Sequence, residues 1–386
     1  MTGLLTRKLK KKLSLSLSGL FLSTALTLSA APAAEAFDWS NAIGSIVLVS
    51  AQYSMLNKQV AYLDGKGRGE YLDQIKGQEG VNEDPEANAM LDRVMGRLSG
   101  AIAKTDPSIE KNPYHYFVNN STKFNAYCTL GHNVSVNIGL FTTLNYNEDE
   151  VAFVLGHGEQ HDPANGVKRT FPIALLAAVA GSQSNMLEAV GTNLLANLGS
   201  AKLVTLPMEK KADELGFTYA TEAGYNPGAG SALWQRVMEK MGNNRETFLG
   251  TIFMPSDHPN NGSRRDKYTK RMYEYSGKHV NVDKKTGAIL VNKKNLGLVR
   301  PGGDMSSRER TYLVAGSLAR VYHEQPSVQP SAEQDGSDLY FGGRRIMSLQ
   351  YGDDGTAWVE KLNKAAGKGK QPVKQPVVSN KKGTVA

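Results

Sequence analysis

Cysteine is nearly missing. Cys128 is the single one in 386 residues, so the chain closes no disulfide within itself. Long apolar runs are scarce too. The run from Leu13 to about Leu28 is short for a bilayer span. The Ala-, Gly- and Leu-rich stretch at 171–200 is interrupted by Gln183, Ser184, Asn185, Glu188 and Asn193, which favours a packed helix pair over a membrane segment. Clustered basic charge is lacking in the body of the chain, although the formal net charge is +8. Arg7, Lys8, Lys10, Lys11 and Lys12 against Glu35 supply part of the excess. Lys368, Lys370, Lys374, Lys381 and Lys382 supply the rest, with no acid beside them. The body between these ends is close to neutral. That argues against a nucleic-acid partner, because phosphate contact needs a clustered basic face. No internal repeat is evident.

What is present suits a folded protein. Hydrophobic residues make up 40% of the chain and charged ones 21%, enough apolar surface for one sizeable core plus a smaller module. The basic run ending at Lys12, the apolar stretch after it and the small residues around Ala34-Glu35-Ala36 read as a secretory signal peptide cut after Ala36. No cysteine sits near the cut, so lipoprotein processing is not expected. The organisation expected is a signal peptide at 1–36, a main domain at 37–276, a small α+β module at 277–364 and a disordered basic tail at 365–386. The mature protein is expected in the periplasm or cell envelope. Its tail lysines allow weak contact with anionic surfaces.

Periodicity places the elements. Residues 38–62 read as an amphipathic helical start. Ala89, Leu91, Val94, Met95, Leu98 and Ile102 repeat at helical spacing over 85–103. Tyr114–Val118 and the alternation around Val134, Ser135, Val136 and Asn137 read as strands. Asn147 caps a helix, with Glu150 placed for a capping box, and Asp162-Pro163 ends it. Another helix starts at Thr205 and Pro207 and stops at Gly224. Residues 230–275 are mainly helical with a break at 255–262. A hairpin pairs Val280–Val282 with Ile289–Val291. A helix capped by Ser306 or Ser307 runs to about His323, and a strand at 346–350 and a helix at 355–365 follow.

The chemistry gathers on the Asn147 helix. His157 and His161 stand at i and i+4, so both imidazoles lie on one face and reach one metal ion. Downstream, Glu209 and Asp213 are again i, i+4 neighbours. Glu209 is a candidate third ligand, and Asp213 a candidate to orient a ligand histidine. Cys128 reads as a small packed residue rather than a nucleophile. His115, His132, His279 and His323 have no paired partner and are given no role.

These residues resemble a known family, the gluzincin metallopeptidases of the CAAX-prenyl-protease and HtpX type, family M-48, above all the soluble exported members. Asn125-Ala126-Tyr127 precedes a glycine and the strand Val134–Asn137, which leads into Gly139-Leu140. Asn147-Glu148-Asp149-Glu150-Val151 leads into Leu155-Gly156-His157. Glu209 and Asp213 match an E-x-x-x-D element, followed by Gly216 and Ala223-Gly224-Tyr225-Asn226-Pro227. Ser256-Asp257-His258-Pro259 with Arg264 matches a late His-Pro…Arg segment. The resemblance covers about 38–275 and implies an α+β, mainly helical gluzincin domain with a small edge-stranded sheet. It implies one Zn2+ held by His157, His161 and Glu209, Asp213 behind them, and Val134, Ser135, Val136 and Asn137 as the strand edging the substrate cleft. His258 would assist an oxyanion or gate the metal, or be a structural histidine before a turn. Arg264 would hold a carboxylate or be solvated.

One departure matters. The family pattern H-E-x-x-H has glutamate directly after the first histidine, and this chain has Gly158. Glu159 sits roughly 200° around the helix from either histidine and faces away from the ion. The base that would take the proton from zinc-bound water is missing. A four-residue loss after the first histidine, one helical turn, accounts for His157-Gly158 and leaves His161 near the lost histidine's place. Three functions follow as expectations. The first is an envelope zinc endopeptidase for protein turnover or quality control, with impaired catalysis. The second is a pseudopeptidase that binds extended or unfolded polypeptides as a chaperone or adaptor. The third is a structural envelope module.

Overall fold

The computed structural model describes residues 65–158, 206–241 and 261–367, with Lys58, Ala61 and Tyr62. The signal peptide, the 171–200 stretch, His161, His258 and the basic tail lie outside the described residues. The fold is α+β and mainly helical, as expected. No described helix is long and apolar enough to cross a membrane.

A polar helix, α1 (Arg68–Glu79), comes first. Helix α2 (Pro85–Ala103) begins where Asp84 accepts a hydrogen bond from the Ala87 amide and Pro85 occupies the first turn. It buries Ala87, Met90, Leu91, Val94, Met95, Leu98 and Ile102, so the apolar stripe is as expected except that Ala89 is exposed. After the short α3 (Ser108–Lys111), a three-stranded sheet is formed by β1 (His115–Asn119), β2 (Ala126–Thr129) and β3 (Asn133–Asn137). Its order is β1-β3-β2, with β3 parallel to β1 and antiparallel to β2. Helices α4 (Ile138–Thr143), α5 (Glu148–Gly158), α6 (Leu206–Glu222), α7 (Ala229–Met241) and α8 (Asn261–Tyr275) follow.

The C-terminal part contains β4 (Val280–Val282), β5 (Ile289–Val291), β6 (Lys294–Gly297), α9 (Ser307–Glu324), β7 (Ala332–Asp335), β8 (Asp338–Phe341), β9 (Arg344–Ser348) and α10 (Gly355–Ala366). This order is one unit written twice, a three-stranded antiparallel meander and then a helix, which corrects the expectation that the chain has no repeat. The copies agree in detail. Each has a register shift inside its middle strand, at Ile289/Leu290 and at Leu339/Tyr340. Each turns by two residues of positive φ, Asn292 (49°) and Lys293 (66°) in one, Gly342 (58°) and Gly343 (77°) in the other. Such pairs make the tight turn that matches strand twist. The helices are exchanged: α9 packs on β4 and on β9 of the other unit, and α10 packs on β7 and on β6 of the other unit. Each turn docks at the far helix's C-terminus. Asn292 donates to the Ala365 carbonyl (3.0 Å), and Gln325 donates to the Gly342 carbonyl (3.0 Å). The repeat escaped the sequence because it conserves turn geometry and pattern, not identities.

Nor is 277–364 packed as a module apart. Its buried side chains belong to the same continuous core as α2, α5, α6 and α7. Helix α9 passes the start of α7 so closely that a Cβ on Gly228, the residue before α7, would stand 1.9 Å from the Tyr312 carbonyl oxygen. The change of texture near 277 is a change of sequence, not of core.

Candidate metal centre

Helix α5 carries His157 at the end of its described residues. Asn147 caps it, accepting from the Glu150 amide (3.1 Å). The reciprocal half of the expected capping box is not formed, because the Glu150 carboxylate turns inward to Arg236 instead. Val151, Ala152, Phe153 and Leu155 are buried. The helix runs antiparallel to α6. At one end Tyr225 donates to Glu148 (3.3 Å) and the Asn226 amide donates to Asp149 (2.8 Å). Further along, Gly156 faces Gly216, where an added Cβ would lie 3.2 Å from the Gly216 carbonyl oxygen. The helices thus touch backbone to backbone one residue before His157. Glu209 and Asp213 lie on the stretch of α6 toward which α5 runs, so both motif-bearing segments reach the same end of the bundle. The side chains of His157 and Glu209 fall outside the described residues, as do His161 and His258. Among the described residues no group of three or more His, Cys, Asp or Glu side chains is arranged to hold a metal.

The structure does bring together Asp213 and Arg264. The Arg264 Nη2 donates to Asp213 Oδ1 at 2.8 Å, with both groups buried, and the Tyr268 hydroxyl donates to the same oxygen at 3.3 Å. The guanidinium lies over the Trp234 ring, 4.0 Å from its centroid. Burial, and after it the Asp213 charge, pushes the Tyr268 hydroxyl well above the usual tyrosine range. Phe153 of α5 packs edge-on to Tyr268 (5.7 Å) and to Phe217 of α6 (5.9 Å). Asp213 is therefore gripped from α8 through a dry aromatic wall that also touches α5. A carboxylate fixed this way suits orienting an imidazole rather than moving with the ligand set. Of the two readings of Arg264, the carboxylate-holding one matches this contact. The donor types on the converging segments, imidazole and carboxylate backed by a fixed aspartate, are those zinc takes.

The strand expectation needs correction. Val134, Ser135, Val136 and Asn137 belong to β3, the central strand, bonded on both sides and buried throughout. Their backbone has no free edge to offer an incoming chain. Val134 and Val136 join the core. Ser135 donates to Glu79 of α1 (2.6 Å), and Asn119 of β1 donates to Asn137 (2.7 Å) and Ser135 (2.8 Å). The strand of this sheet that packs on α5 is β2, an edge strand bonded only to β3 among the described residues. The strand expected at 134–137 is present, within β3. The pairing order was not legible, because β2 is four residues long and its partner follows across a positive-φ Gly131-His132 turn.

Sequence reasoning also missed a buried charge cluster. Arg236 of α7 donates from Nε to Glu150 (2.9 Å) and from Nη1 to Asp304 (2.7 Å), and its Nε lies 3.6 Å from Glu309. Arg236 and Glu150 are essentially inaccessible, whereas the Asp304 side chain is 41% exposed. Burial pushes Glu150 up to about 8 against the opposing pull of Arg236. Burial likewise raises Glu309. For Asp304, burial is outweighed by the Arg236 hydrogen bond and charge, which hold its carboxyl below the usual range. Nothing local signals the cluster, since Glu150 and Arg236 are 86 residues apart.

Three of the other histidines stack on tyrosine rings. His132 stacks on Tyr114 (5.0 Å), His279 on Tyr322 (4.5 Å) and His323 on Tyr275 (3.8 Å). Cys128 is half-buried on β2.

Comparison with known proteins gives a consistent picture. A model of peptidase family M48 matches residues 85–271. The beta-barrel assembly-enhancing proteases of Escherichia coli (strain K12) and Yersinia pestis are each 24% identical over 184 residues, covering 44% of this chain and 36% of theirs. A putative beta-barrel assembly-enhancing protease of Vibrio cholerae serotype O1 is 23% identical over 183 residues, 44% of this chain and 37% of its own. The match thus spans little more than a third of the length of those relatives.

Proposed function

We propose, from the match of residues 85–271 to a model of peptidase family M48, that the chain is an exported zinc metalloendopeptidase-type protein of the cell envelope with weakened catalysis. His157, His161 and Glu209 would hold one Zn2+. The observation that carries this reading is the buried Asp213–Arg264 pair beside the α5–α6 crossing. It fixes a carboxylate, of a kind suited to orienting an imidazole, at the end of the bundle that both motif segments reach. When bound, zinc polarises a peptide carbonyl and brings a water toward ionisation near neutral pH.

The chain's own residues supply the rest. An extended polypeptide would add as a strand alongside β2, beside α5, its main chain giving affinity. Ala126–Thr129, rather than Val134–Asn137, would edge the substrate cleft. Asp213, clamped by Arg264, would keep a ligand ring in one tautomer. The residue directly after His157 is Gly158, which carries no carboxylate. A proton leaving the attacking water has no acceptor there, a loss that typically costs about 10²–10⁴-fold in rate. Clients would be envelope polypeptides, in line with the names of the relatives.

Gly158 also favours a second reading, a pseudopeptidase that holds extended chains without cutting them. Zinc content and casein cleavage with and without a chelator separate the two. Bound zinc with slow, chelator-sensitive cleavage supports the first, and Gly158→Glu should then accelerate cleavage by about 10²-fold or more. Bound zinc with no cleavage leaves the second. A protein that takes up no zinc sinks both in their metal-dependent form.

A further inference from the structure

The family match ends at residue 271. We infer that the segment beyond it acts as a brace that seats the helices bearing the metal ligands, with Asp304 as the positioning residue for α5. This rests on the metal reading above for one of its two readouts.

Helix α9 and the loop before it grip all three motif-bearing helices. On α5 the grip is the Arg236 cluster, where Asp304 and Glu309 come from the brace and Glu150 from α5. On α6 it is Arg320, whose Nη2 donates to the Thr221 carbonyl (3.1 Å) and to the Tyr225 carbonyl, closing that helix's C-terminal end. The turn after α6 is tied as well, with Asn226 donating to the Leu313 carbonyl (2.9 Å). On α8 it is His323, stacked 3.8 Å from Tyr275 with its Nδ1 3.0 Å from the Tyr275 carbonyl oxygen. These three helices carry His157, Glu209 with Asp213, and Arg264.

Asp304 is the adjustable member of the first grip. It sits in the loop between β6 and α9, which the Gly302–Met305 bridge pins. Its carboxylate takes one arm of a guanidinium whose other contacts, Glu150 and Glu309, are buried. With Asp304 neutral, Arg236 loses its most exposed ionic partner, and its hold on Glu150 changes. Glu150 lies about two helical turns from His157 on α5, about 10 Å along the axis. A helix is stiff over that length, so a shift at Glu150 moves the backbone of His157.

The test uses the full-length chain with Asp304→Asn and Asp304→Glu. Amide hydrogen exchange is followed over 148–158, and zinc affinity is measured by competition with a chromogenic chelator. Asp304→Asn should speed exchange in α5 beyond the loop itself. It should also weaken zinc binding by about tenfold, the low end for groups that orient metal ligands. Asp304→Glu should restore both. Faster exchange confined to 299–306, or no change in α5, overturns the brace. So does a lowered melting temperature with unchanged zinc affinity in a chain that binds zinc. If the unsubstituted chain binds no zinc, the metal reading falls and the α5 exchange alone decides the brace.

Discussion

At the residue scale, two buried acids show opposite fates. Asp213 lies within a short motif that names it, and the fold gives it an arginine and a tyrosine. Glu150 also lies within a short motif, the capping box, yet only its amide takes part. Its carboxylate is buried against Arg236, and burial lifts it to about 8. The pH dependence follows. An acid whose folded value is raised takes up protons on folding, so stability falls as pH rises through the gap between unfolded and folded values. For Glu150 that window runs from its ordinary 4.5 to about 8. Glu309, raised by burial, acts in the same direction. Asp304, lowered, acts oppositely and only in acid. Thermal melts of the unsubstituted chain should therefore decline from pH 5 to pH 8, and Glu150→Gln should flatten that decline. An unaltered slope in Glu150→Gln would remove Glu150 as its source.

At the element scale, helix crossings are decided by where a Cβ is absent. Gly228 lies just before α7, where α9 packs against it, and an added Cβ would meet the Tyr312 carbonyl oxygen at 1.9 Å. Backbone must move to admit it. Gly228→Ala should cost about 1–3 kcal/mol, the usual range for overpacking. Gly96, exposed in the middle of α2, has nothing within 4 Å of its ideal Cβ. Gly96→Ala should stabilise by about 0.5–1 kcal/mol, through helix propensity alone. Urea titrations of the two variants should shift in opposite directions, and a shift of the same sign would contradict the crossing geometry.

At the scale of the whole molecule, the core does not stop where the family match does. Helix α9 buries Tyr312, Val314, Ala315, Leu318, Ala319 and Val321, which sit in one cluster with Leu98, Phe153 and Val237. The repeated units close over exchanged helices, so each meander lacks part of its cover without the other. A chain ending at 276 would expose the α7 and α8 surfaces that α9 covers. It should show weakened near-ultraviolet circular dichroism and rapid proteolysis, while the chain ending at 367 should resist. A protease-resistant 37–276 fragment with cooperative unfolding would show instead that the main domain stands alone.

The amino-acid order determined most features that depend on neighbours within a few residues. The α2 stripe, the cap at Ser306, the Asn147 cap, the Val280–Val291 hairpin and the motif carrying His157, Gly158, Glu209 and Asp213 are of this kind. Each rests on a spacing of two to four residues, which helix and strand geometry convert directly into a face. The tertiary structure decided what joins distant segments. It set β3 inside its sheet, Arg264 on Asp213, Arg236 among three carboxylates, and α9 in the common core. Those pairings are selected by packing and by the cost of leaving a buried charge alone, and neither acts until the whole chain has closed.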